Sequence, residues 1–142
     1  MALLTCPAGV YRVDAATADR IRTTSDTLIV WIIDGAAANS RERFFEALAA
    51  ALNFPDYFGH NWDAAYDCLT DLACADEQSA VLLITSGDRF LAGMGPEWTT
   101  GQRVFAAAAA FWQGVGRSLL VLLVSDAGLP GVPALPAVVA EQ

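Results

Sequence analysis

The sequence predicts an α/β domain in which a small three-stranded parallel sheet is packed by helices. Apolar, β-branched runs recur at 27–34 (TLIVWIID), 79–86 (SAVLLITS) and 117–125 (RSLLVLLVS). These runs are continuous rather than alternating, as in strands covered on both faces. Segments with helical spacing of apolar residues lie between them, and strands that alternate with helices imply crossovers and parallel pairing. The strands are expected near 28–33, 80–85 and 119–125.

Along the chain, GVYRVD and AATADRIR read as a short strand and a weak helix. They fall in an N-terminal extension, 1–26, ahead of a domain spanning 27–125. The 27–34 run ends at Asp34-Gly35 and is expected to be buried on both faces. In NSRERFFEALAAALNF, Asn39 stands three residues before Glu42 as a capping box, and Phe44, Phe45, Leu48, Ala51 and Leu52 recur at helical spacing. Pro55 is expected to end this helix. Asn61 is the expected N-cap of the next one, with Trp62, Ala65, Tyr66, Leu69 and Leu72 as its apolar stripe. GDRFLAGMGPEW reads as a Gly/Pro loop, and Thr99 or Thr100 as the cap of GQRVFAAAAAFWQ. A Pro-rich tail, 126–142, carries prolines at 130, 133 and 136. It suits an extended polyproline-like segment or a strap along the domain surface.

With 142 residues and 55% hydrophobic content, the chain is read as one globular domain rather than a disordered one. Sixteen acidic residues face eight basic ones, all arginine, and the net charge of −8 disfavours nucleic acid and anionic membranes as partners. It favours a basic partner. Cys6, Cys68 and Cys74 form no C-x-x-C pair, which suits a reducing compartment. No signal peptide or membrane-length apolar run is evident, so a cytoplasmic location is expected.

Asp63, Asp67 and Asp71 fall four residues apart in the second helix. Like charges at that spacing cost a helix a few tenths of a kcal/mol per pair, and only Asp63 lies where the helix dipole favours a carboxylate. A catalytic carboxylate pair, Asp63 and Asp67, is a poor reading, because both stand on a convex face without a pocket. A zinc site from His60, Cys68 and Cys74 fails on spacing, and no phosphate loop, dinucleotide fingerprint or nucleophile elbow occurs. No catalytic residue, metal or cofactor is therefore assigned. The same residues make a better binding surface. Tyr57 and Gly59 precede a helix face formed by Asp63, Tyr66, Asp67 and Thr70, which follow the i, i+3, i+4, i+7 rule. On pattern alone the competing assignment is structural, with Trp62 and Tyr66 in the core and Asp71 merely solvated.

The segment LAAALNFPDYFGHNWDAAYDCLTDL resembles the barstar family of ribonuclease inhibitors. The specific motif lies in 52–72, and the order of elements agrees over about 27–125. The resemblance implies that the second helix and its preceding loop plug the basic active-site cleft of an extracellular-type ribonuclease. Tyr57, Gly59, Asn61, Asp63, Asp67 and Thr70 match the family's contact positions, and Asp67 matches the carboxylate that enters the phosphate-binding centre. Tyr66 occupies a family aromatic position, and Trp62 replaces a smaller aliphatic residue of the type member. A further family carboxylate, on the helix before the last strand, has no equivalent in VFAAAAAFWQ. The expected function is an intracellular, immunity-type inhibitor that is a monomer when free. The alternative is an interaction domain for some other basic protein, and a basic nuclease encoded alongside would discriminate between the two.

Overall fold

A computed structural model describes residues 7–23, 28–75 and 78–135. The elements run β1 (Gly9–Val13), α1 (Ala15–Thr23), β2 (Leu28–Asp34), α2 (Arg41–Leu52), α3 (Trp62–Ala75), β3 (Ser79–Thr85), α4 (Gly87–Met94), α5 (Glu97–Gly114) and β4 (Leu119–Val124). The strands form one parallel sheet in the order β1-β4-β3-β2.

The sheet therefore has four strands rather than the expected three. The short GVYRV segment pairs with β4 from Gly9↔Leu120 to Val13↔Val124, because Val10, Tyr11 and Val13 bury their side chains against it. The central strands β3 and β4 are covered on both faces. β2 is an edge strand instead, and its Ile32 is 46% exposed. A continuous apolar run does not by itself separate an edge from a centre.

Alternation along the strands sorts the side chains into two layers. Ile33, Leu82, Ile84, Val121 and Leu123 face α2–α5, while Leu28, Val81, Leu83, Leu120 and Leu122 face α1 through Ala18 and Ile21. On the thicker side, Phe44 of α2 meets Trp62 of α3, Phe90 of α4, and Trp98 and Phe105 of α5, with ring centroids 5.4–6.1 Å apart. One buried ring thus sets the positions of four helices, since tilted and edge-on ring pairs resist sliding.

Several helix boundaries depart from expectation. The cap of α2 is Ser40, not Asn39, and its hydroxyl accepts from the Arg43 N–H at 3.2 Å. α2 ends at Asn53, which takes the left-handed conformation (φ 57°) and returns its N–H to Ala49, so the stop precedes Pro55. The stretch read as a loop forms α4, because Gly87, Phe90 and Met94 fall on one buried face. Gly93 is needed there, since a Cβ would lie 2.1 Å from the Asn39 carbonyl oxygen. α5 starts behind Pro96, placing Thr99 and Thr100 within the helix.

After β4 the chain turns back across the other sheet edge. Arg12 donates its N–H to Pro133 and accepts from the Leu135 N–H, at 2.8 and 2.9 Å. The tail as far as Leu135 thus lies along β1. The remainder of the Pro-rich segment, with Pro136, lies outside the described residues, as does Cys6.

Candidate partner-binding surface

The loop between α2 and α3 is held from below by two buried rings. Phe54 and Phe58 are 8% and 5% exposed and pack at 5.0 Å, and the Phe58 N–H bonds the Pro55 carbonyl at 2.9 Å. Between them Tyr57 points outward and is 83% exposed. His60, at φ 52°, lays its ring 4.9 Å from Phe58 and brings its Nδ1 to 3.1 Å from the Phe58 carbonyl oxygen. Asn61 then caps α3: its Oδ1 accepts from the Ala64 N–H at 2.8 Å, while its amide reaches back to Gly59. Loop and helix are thereby locked together, with Tyr57, Gly59 and Asn61 on the outside.

α3 divides cleanly into two faces. Trp62, Ala65, Cys68, Leu69 and Ala73 are buried, whereas Asp63, Asp67 and Asp71 are exposed and Tyr66, Thr70 and Leu72 are half-buried. Among the described residues no ion pair engages any of the three aspartates. Two of them act inward on Cys68, whose thiol is pushed up first by burial and then by Asp71 and Asp67. Thr70 turns its hydroxyl back onto the Tyr66 and Asp67 carbonyls. Trp62, assigned to the binding set from sequence, is only 8% exposed and packs 4.7 Å from Phe45. It still borders a groove of about 490 Å³ between α3 and α5, with Asp63, Tyr66, Asp67 and Arg103 among the other walls, so these two aspartates line a concavity rather than the convex, pocketless face expected from sequence.

Two polar fixtures hold α3 in place, and neither was anticipated from sequence. At its start the Trp62 Nε1–H donates to Glu97 Oε1 at 2.6 Å, and that oxygen also receives the Arg41 Nε–H at 3.0 Å. Glu97, in the first turn of α5, is thus committed to joining α2, α3 and α5. At the other end, Trp112 Nε1–H bonds the Leu69 carbonyl at 2.9 Å and the buried Arg117 reaches the Leu72 and Gln78 carbonyls. The guanidinium also lies 4.1 Å over the Trp112 ring. A cation near the carbonyl end of a helix is favoured by the negative end of the dipole there. The only cue in sequence was an arginine directly ahead of an apolar strand.

The chemistry available is that of an acidic helix face beside an exposed tyrosine. His60, Cys68 and Cys74 are not gathered into a ligand set, and among the described residues no three His, Cys, Asp or Glu side chains form a metal-sized cluster. No helix among them is long and apolar enough to cross a membrane.

A family model described as "Barstar (barnase inhibitor)" matches residues 28–124. The chain is also similar to the "Putative ribonuclease inhibitor YrdF" of Bacillus subtilis (strain 168), at 49% identity over 39 residues. That match covers 28% of this chain and 43% of the relative, so less than half of the relative's length is spanned.

Proposed function

The chain belongs to the barstar family, and from that premise we propose that it is an intracellular, immunity-type inhibitor of a basic, extracellular-type ribonuclease. In this reading it has no catalytic role, works in the cytoplasm and is a monomer when free. Tyr57, Gly59, Asn61, Asp63, Tyr66, Asp67 and Thr70 form the contact surface, and Trp62 shapes it from beneath. The observation that carries the proposal is the row Asp63, Asp67 and Asp71, exposed and without ion pairs among the described residues. In the free protein those carboxylates repel one another, and cations from a partner relieve the repulsion. A ribonuclease cleft built for phosphates presents such cations, so a carboxylate on a rigid helix is accepted in their place. Asp67, midway along the row, enters the phosphate site.

The test is inhibition of purified basic microbial ribonucleases, including any encoded beside this chain. Wild type is expected to inhibit at least one, and Asp67→Ala to lose that inhibition while melting normally. Full inhibition by Asp67→Ala, or none by wild type, would overturn the assignment.

A further inference from the structure

The acidic surface is interrupted by a cation. Arg103, exposed on α5, stands in the wall of the groove that also contains Asp63 and Asp67. It also borders a second groove of about 760 Å³, whose walls include Asp88, Gln102 and Gly131. Arg103 therefore joins the two grooves, and the sign of charge alternates across them: carboxylates on α3, a guanidinium on α5, a carboxylate on α4. Among the described residues Arg103 has neither an ion pair nor a hydrogen bond, although carboxylates line the same groove. Its charge is not spent within the fold.

A partner that covers α3 and extends into this groove removes water from Arg103. A uniformly cationic surface would then place like charges together and leave a guanidinium unpaired, and both effects oppose docking. We propose that Arg103 is a specificity-determining contact, and that the partner is a protein carrying a carboxylate against Arg103, flanked by cations that meet Asp63 and Asp67 on one side and Asp88 on the other. The proposal rests on the inhibitor reading and narrows it, since a basic nuclease without that carboxylate is disfavoured.

The experiment uses the full chain and a nuclease from the panel above that wild type inhibits. Association and dissociation are measured by stopped flow for wild type, Asp67→Ala, Arg103→Lys, Arg103→Ala and Arg103→Glu, with circular dichroism melts as the control for folding. Arg103→Glu makes the chain more acidic and is expected to associate faster with the basic nuclease. It is nevertheless expected to dissociate about tenfold faster or more, which lowers the barrier to dissociation by about 1.4 kcal/mol. Arg103→Ala should fall between, and Arg103→Lys should retain most of the affinity. A purely structural role for Arg103 would not raise one rate and the other together. Unchanged or slower dissociation of Arg103→Glu, with Asp67→Ala still inactive, overturns this proposal and leaves the inhibitor reading standing. If Asp67→Ala also binds normally, or wild type inhibits no nuclease, both fall.

Discussion

At the residue scale, the proposed function and the stability of the fold make opposite demands on Asp67. It is exposed, has no ion pair among the described residues, and adds, after burial and Asp71, to the upward push on the Cys68 thiol. Asp67→Asn should therefore leave stability unchanged or raise it by a few tenths of a kcal/mol. A loss of several degrees in a thermal melt would identify the carboxylate as structural. Asp14 is the opposite kind of carboxylate. Hydrogen bonds from the Thr17 side chain and N–H, the latter at 2.7 Å, with Arg20 and Arg12 nearby, hold it below the ordinary aspartate range. A lowered folded-state pKa means that the unfolded chain binds the proton first as pH falls. The stabilisation by Asp14 is thus present above the ordinary aspartate pKa and is lost as pH falls through the lower folded value. Asp14→Ala should lose about 1 kcal/mol at neutral pH, the usual value of a capping side chain. Asp14→Asn should keep much of that and flatten the acid limb of the stability curve. Urea titrations at several pH values would check both.

At the scale of elements, the seam between α3 and α5 sets where the acidic ridge stands. Gly101 lies under Trp62, and a Cβ there would sit 2.6 Å from the Trp62 ring and 2.7 Å from that of Trp98. Gly101→Ala should therefore destabilise by about 1–3 kcal/mol, the range for overpacking, despite the better helix propensity of alanine. It should weaken inhibition as well, by displacing the start of α3. A melt unchanged within half a degree would show that the seam is looser than the structure indicates. Elements also show how much the sequence disclosed. The 3.6-residue spacing of Phe44, Phe45, Leu48 and Leu52 and the Asn61 cap were legible because they depend on local geometry. The helix at 87–94 was not, because its glycines signal a turn until the close approach of Asn39 to Gly93 explains one of them. The place of β1 in the sheet was equally hidden. Five residues carry little periodicity, and their pairing with β4 is more than a hundred positions away.

For the whole molecule, the net charge of −8 should act mainly on encounter. Association with a basic nuclease should slow as ionic strength rises, because the Debye length shrinks from about 30 Å at 0.01 M to about 8 Å at 0.15 M. Dissociation should respond less, since docked pairs are shielded from ions. Asp71, near the far end of the ridge, should contribute mostly to association rate, Asp67 to lifetime through charge, and Tyr57 to lifetime through packing. Rate constants for Asp71→Ala, Asp67→Ala and Tyr57→Ala across a salt series would resolve this division. Dominance of Asp71 with a neutral Asp67 would contradict it. Asp63, Asp67 and Thr70 were visible in the sequence as one helical face, whereas Arg103 was not, because its neighbours on α3 belong to a segment some forty residues earlier.

The lower end of α3 is gripped through the Leu69 and Leu72 carbonyls by Trp112 and Arg117. Every amino acid supplies a carbonyl, so this attachment is indifferent to the side chains on the outer face. Positions 63, 67 and 71 thereby carry little duty to the fold beyond the favourable place of Asp63 in the first turn of α3, and under the proposed function they are free to vary with the partner. A library varied at these three sites should remain folded almost throughout, judged by protease resistance on display, and should contain variants redirected to new basic targets. Widespread loss of protease resistance would show that the face is less free than its mounting suggests.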